Sequence, residues 1–255
     1  MTDAELAYVI RVTSVISLVL LFFGISSYFS PDAWTTYEVA NSIGRDFYRA
    51  NTAREYSTGS LYSSAFPPVW PVIVAGFTRL TGNIYGSYLA AFLAYIGFAI
   101  AAEQFGRRAF GRRGIGLLSA ILISQFLRFR SELGSGRERP LMLLELSVLG
   151  SLLIDLDNAS RVRSAVLGFL AGLMVMTRFD ALPAALTVLI AAPFIGVRRE
   201  RILFMLGGFL VAISPWIFFS YEHFGVSFAS SNKWTAISIE RGDVYDYHMV
   251  PPRTL

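Results

Sequence analysis

The sequence predicts an all-α fold: a polytopic transmembrane helix bundle of about seven spans, with a long first outer loop carrying short interfacial helices. Three observations lead there. The 255 residues are 54% hydrophobic and only 16% charged, too apolar a balance for an ordinary soluble domain. The charges gather between apolar runs instead of within them. The runs themselves approach the length that a hydrocarbon core demands.

The first run, 7–29, is longer than the apolar core of a signal peptide and is expected to remain as an anchor. The polar stretch 30–82 follows as an outer loop, rich in Tyr and Arg. Its AWTTYEVANSI segment has Trp34, Tyr37, Val39, Ala40 and Ile43 at helical spacing, which fits a short amphipathic helix in the interface. Its last part, Val69 to Gly82, is apolar but short and holds Pro71 and Arg79, so it is expected to be re-entrant or interfacial. Further spans are expected at roughly 85–105, 114–130, 140–155, 164–178, 181–197 and 202–220, with an outer tail over 221–255. No internal repeat divides the chain, so 1–255 reads as a single transmembrane module.

Charge orients this arrangement. The Arg-dense connections GRRAFGRR (106–113), NASRVR (158–163) and VRRER (197–201) fall on one face, which the positive-inside rule makes cytoplasmic. The loop 30–82 then lies outside. Were Val69 to Gly82 itself a span, the three clusters would stay together while the first loop changed sides.

The outer face holds the anomalies. The connection LRFRSELGSGRER (127–139) carries Arg128, Arg130, Arg137 and Arg139, and the turn TRFD places Arg178 and Asp180 between two apolar runs. Charges at membrane depth are costly, so they pair with each other or with an anion. Arg178 and Asp180 read as an ion pair closing a hairpin, or Arg178 as a phosphate ligand, since its planar fork suits that anion. Glu138 sits just before a helix expected from about Pro140, where an acid suits the helix dipole; it also reads as a second acidic group of a polar cavity. Asp32 at the mouth of the first loop reads either as a helix cap after Pro31 or as a catalytic carboxylate. The aromatic-proline stretch FPPVWP, with Tyr56 and Tyr62, suits an interfacial belt or the wall of a lipid or sugar groove.

Some chemistry is excluded. With no Cys, disulfides, thiolate metal sites and Cys nucleophiles are ruled out. Two His residues, His223 and His248, make a poor basis for a His-built metal centre. Neither phosphate-cradling Gly loops nor a Ser–His–Asp order is present. Asp32 and Glu138 have the oxygen chemistry of a hard divalent cation site, so such a cation stays open beside the reading without a cofactor.

Taken in order, DAWTTYEVANSIG after the first run, YSSAFPPVWPVIVAGFTRLTG, FGRRAFG, GSGRERPLMLLEL, LGFLAGLMVMTRFDALPAAL and SPWIFFSYEHFGVSFASSNKW resemble one family. The resemblance is to the N-terminal module of the GT-C membrane glycosyltransferases, which includes protein O-mannosyltransferases, aminoarabinose transferases and bacterial arabinofuranosyltransferase-like proteins. It covers about residues 10 to 235 in collinear order. Members often carry an acidic pair in the first loop, where this chain has Asp32 followed by Ala33, and most are much longer.

The resemblance implies an inverting transferase that moves a sugar from a polyprenyl-phosphate carrier to an acceptor hydroxyl of a glycan, lipid or protein. Asp32 is then the general base, with Glu138 positioning hydroxyls of acceptor or sugar. Arg178, Arg137 and Arg139, with Lys233, are the expected ligands of the leaving phosphate, and Tyr37 and Tyr62 are expected to line the substrate groove. The expected partners are the donor, the acceptor and the bilayer, with no nucleic acid. The expected location is a prokaryotic plasma membrane, with the site facing outward. A transporter or flippase for a lipid-linked or anionic substrate is the alternative class, and a shortened non-catalytic membrane subunit is a third.

Overall fold

A computed structural model of the chain describes residues 8, 12, 31–43, 49–50, 61–62, 67–112, 114–125, 135–154, 156, 160–194 and 197–224. These residues are helical throughout their regular structure, apart from one antiparallel pair of two-residue strands, β1 (Arg49–Ala50) and β2 (Leu61–Tyr62). The expected first span lies outside the described residues except for Tyr8 and Val12, which are helical; of the expected tail, residues 221–224 are described and continue the last helix instead of leaving it.

Helix α1 (Pro31–Ser42) begins at the proline, which suits a first helical position because its missing N–H has no partner there in any case. Asp32 is thus inside the first turn and not at the cap, where an acid still favours the dipole. Helix α1 forms where the amphipathic segment was expected, and it packs one face into the bundle. Thr36, Val39 and Ala40 are buried, whereas Tyr37 is only half-buried. Arg79, from α2 (Val69–Thr81), donates to the Ile43 carbonyl at 2.5 Å and ties the end of α1 to the end of α2.

Helix α2 is 13 residues long, about 20 Å at the helical rise and well short of a hydrocarbon core. Trp70, Val74 and Ala75 bury one side of it against α3 (Tyr85–Phe110). Helix α3 continues past the expected end at 105, through Arg107 and Arg108, and stops where Gly111 takes a left-handed conformation (φ 69°). Its Glu103 caps α4 (Ile115–Gln125): both carboxylate oxygens accept from the Gly114 N–H at 3.0 Å.

Helices α5 (Arg139–Leu153), α6 (Arg161–Thr177), α7 (Leu182–Phe194) and α8 (Arg199–Phe224) follow. Two helices among the described residues, α3 and α8, are long and apolar enough to cross a membrane.

Close approach of backbones organises the second half. In α6, a Cβ at Gly168 would strike the Met205 carbonyl, and one at Gly172 would lie 2.6 Å from the Ala212 Cβ. On α8, a Cβ at Gly208 would strike the Ala165 carbonyl. This is the small-residue spacing that lets two helices touch along their backbones. Pro215 interrupts α8 and deprives the Val211 carbonyl of its usual donor; the Ser214 hydroxyl supplies one instead at 3.1 Å.

Two buried clusters result. One joins Leu149, Leu167, Met174, Met205, Phe209 and Trp216; the other joins Trp70, Val74, Tyr95, Phe98 and Ala120. Helix α1 bridges them, giving Val39 to the first and Ala40 to the second.

The three Arg-rich connections meet at one end of the bundle. Arg108 donates to the Ser151 carbonyl at 3.2 Å, Arg163 to the Leu152 carbonyl at 3.0 Å, and Arg161 pairs with Glu200. Arg108 and Arg163 thereby satisfy orphan carbonyls at the end of α5, while Arg161 joins the second connection to the third. The opposite end holds the start of α5 and the end of α6.

Candidate functional site

At that opposite end the chain makes a tight turn ahead of α5. Gly136 has φ +70°, and a Cβ there would lie 2.7 Å from the Ser87 hydroxyl, so the turn sits directly on the start of α3. Glu138 occupies the N-cap position, but its side chain makes no cap hydrogen bond. It turns inward and is 7% exposed. Pro140 falls in the first turn of α5, as the sequence suggests.

The partner of Glu138 comes from 40 residues further along. Arg178 leaves α6 in extended conformation, and its Nη1 donates to Glu138 Oε1 at 2.5 Å. The same guanidinium grips Asp180 with two bonds, Nε to Oδ1 at 2.9 Å and Nη2 to Oδ2 at 2.7 Å. Bidentate geometry of this kind is the strong form of the carboxylate–arginine pair. The hydrogen bond and charge of Arg178, with a smaller contribution from Arg139, hold the Asp180 carboxyl below its ordinary value. Arg137 Nε lies 3.9 Å from Glu138 Oε2.

Three arginines and two carboxylates therefore face one another where α5, α6 and the turn into α7 meet. An arginine-rich cluster of this kind has the chemistry to meet an anionic ligand. The turn is anchored from below by Phe179, whose ring lies 5.7 Å from that of Trp216. Val39 of α1 belongs to the same buried cluster as Phe179 and Met142, which seats α1 beside this end.

The structure thus brings together Glu138, Arg178, Arg137 and Arg139 from the expected set, and makes Asp180 their fifth member. Asp32 lies on α1, one and two turns ahead of the buried Thr36 and Val39. Tyr37 is half-buried on the same helix, and Tyr62 stands on β2 opposite Arg49. The side chains of Asp32 and Tyr62, and Lys233 altogether, lie outside the described residues. Among the described residues no three His, Cys, Asp or Glu side chains converge as a metal site would require. Glu138, one of the two oxygen donors considered for a cation, is engaged by Arg178 instead.

One polar pair was missed by sequence reasoning. Glu145, in mid-helix on α5, is 7% exposed and accepts from the Thr177 hydroxyl at 2.8 Å. Its other oxygen, Oε2, is buried with no hydrogen-bond partner among the described residues. The signal was available: a lone acid inside the apolar run LMLLELSVL.

Compared with protein-family models, characterised proteins and solved structures, the chain finds no match.

Proposed function

We propose that the chain is a multi-span membrane glycosyltransferase that moves a sugar, with inversion, from a polyprenyl-phosphate carrier to an acceptor hydroxyl. The observation that carries this reading is the Glu138–Arg178–Asp180 cluster, flanked by Arg137 and Arg139, at the end of the bundle away from the three Arg-rich connections. In this reading the positive-inside rule puts those connections in the cytoplasm and the cluster outside. Seven spans are completed by the run 7–29 and by helices α4 to α7, whose short apolar lengths are accommodated by flanking residues and local bilayer thinning.

The chemistry follows from the groups in place. The Asp32 carboxylate takes the proton of the acceptor hydroxyl, and the oxygen attacks the anomeric carbon. The bond from that carbon to the phosphate oxygen breaks on the opposite face, and the electron pair leaves on the polyprenyl phosphate. Phosphate is a competent leaving group, so the site's work is orientation and charge stabilisation. Arg178, Arg137 and Arg139 meet the departing charge. Glu138 and Asp180 hold the Arg178 guanidinium in one plane, a positioning role that differs from the hydroxyl contact the resemblance implies for Glu138. Tyr37, Tyr62 and Lys233 complete the proposed substrate groove.

Membranes carrying the protein, incubated with labelled polyprenyl-phosphate sugars, are expected to yield a covalently labelled acceptor. A second reading, a transporter for an anionic or lipid-linked substrate, draws on Glu145, because a buried mid-helix carboxylate is a common feature of ion and substrate pathways. Vesicle uptake of the labelled compound with no covalent product favours the transporter and removes the transferase.

A further inference from the structure

At the end of the bundle opposite the Arg178 cluster, the outer side of the α6–α8 pair carries an apolar groove of about 640 Å³. Ala165 and Phe169 of α6 line it, with Leu203, Phe204, Gly207 and Val211 of α8. The glycine-mediated approach of the two helices creates it, because side chains that would fill the seam are missing. The groove is polar at one extremity only. There Glu200 lines it and pairs with Arg161, whose guanidinium carbon lies 5.9 Å from the centre of the Phe204 ring.

At that mouth α6 begins with Arg161, and the chain enters α8 through Arg198 and Arg199. Arg198 and Arg199 are exposed. An apolar slot ending beside exposed guanidinium groups has the form of one phospholipid, with an acyl chain in the slot and an anionic phosphate at its rim. A zwitterionic headgroup would bring its own cation into the arginines. We propose that this groove binds an anionic phospholipid of the leaflet that the Arg-rich connections face, with Arg161, Arg198 and Arg199 on the headgroup and Phe169, Leu203 and Val211 along the chain.

The headgroup end of the site is distinct from the proposed transfer centre, since Arg161 and Arg178 stand at opposite ends of the 17-residue α6, about 25 Å apart. The proposal rests on the membrane placement of α6 and α8 and not on the transfer chemistry.

The test uses the full chain in nanodiscs of phosphatidylcholine mixed with phosphatidylglycerol, stripped mildly and weighed by native mass spectrometry. Phosphatidylglycerol should remain bound in preference to phosphatidylcholine. The double substitution Arg198→Gln with Arg199→Gln should lower its retention, by about fivefold for each arginine at the headgroup. Gly207→Phe should abolish retention without lowering the thermal midpoint, because a Cβ at Gly207 meets nothing within 4 Å and the new ring fills the slot. Equal retention of both lipids, or undiminished phosphatidylglycerol in these variants, overturns the proposal. So does a second copy of the chain occupying the face in place of lipid. Release of the chain from membranes by alkaline carbonate would sink the membrane placement and the lipid site together. A membrane-retained chain with no lipid preference sinks the lipid site alone.

Discussion

Arg178 and Glu138 are 40 residues apart in the chain and 2.5 Å apart in the fold. The pair fastens the end of α6 to the start of α5, and through Asp180 it fixes the turn into α7 as well. Removing the guanidinium leaves Glu138 buried and charged with its closest partner gone.

Arg178→Ala should therefore destabilise the protein by about 3 kcal/mol, the low end of the cost of breaking a buried pair. Combining it with Glu138→Gln should restore part of that loss, because the orphaned charge goes too. Arg178→Lys should recover charge but not the two-pronged grip on Asp180. Thermal unfolding in detergent of the single and double variants measures all three, and additive losses would contradict the pairing.

Asp180 gives the cluster a pH signature. Its carboxyl is held below its ordinary value of 3.8 mainly by the hydrogen bond from Arg178, so the folded state prefers the ionised form. That preference contributes stability fully above the unfolded value and loses it as pH falls through the depressed one. Wild type and Asp180→Asn should thus differ by a constant amount near neutral pH and converge in acid. A gap that widens on acidification would reverse the sign and refute the assignment.

Asp32→Asn keeps shape and removes the basic oxygen. If Asp32 takes the acceptor proton, sugar transfer should fall by about 10²–10⁴-fold with membrane insertion unchanged. Turnover equal to wild type would return Asp32 to the role of an acid in a helix's first turn.

The Glu145–Thr177 pair is testable by asymmetry. Thr177→Val leaves the buried Glu145 carboxyl group without its hydroxyl donor and should cost about 1–3 kcal/mol. The double variant Thr177→Val with Glu145→Leu replaces both partners by apolar groups and should come close to wild-type stability. The transporter reading adds a separate readout: Glu145→Gln would then stop uptake without unfolding the protein.

Gly168 and Gly207 make a matched contrast. Gly168→Ala drives a methyl group into the Met205 carbonyl and should destabilise by about 2 kcal/mol or more. Gly207→Ala meets open space and should stabilise by roughly 0.5–1 kcal/mol, since alanine is the better helix former. Similar midpoints for the two would mean that the helices are not in backbone contact.

Helix positions could be read from the apolar runs, and the grouping of the Arg-rich connections from charge; Arg108, Arg163 and Arg161 do tie those connections together at one end. Helix ends were less legible. Helix α3 runs on through Arg107 and Arg108 because its stop is a left-handed Gly111, not the edge of the apolar run. The TRFD turn stood out because charges inside apolar sequence demand partners. That Glu138 would be the partner was hidden, since nothing local links residues 40 apart. Glu145 was legible as a lone acid in an apolar run, but its partner was not, because only packing brought Thr177 to it. The inward lean of α1 depended on Val39 and Ala40 filling two clusters assembled from distant helices.

The glycine seam also sets an order of events during biosynthesis. The surface that α6 offers at Gly168 is completed by Met205, 37 positions later, after α7 has been made (205 minus 168). A nascent chain stopped before α8 holds a helix whose closest-fitting neighbour does not yet exist. Chains arrested before residue 199 should leave Ser164→Cys, nearly isosteric and fully buried in the complete fold, open to modification, and the released full-length chain should shield it. Equal labelling at both lengths would mean that α6 is sheltered by something other than α8.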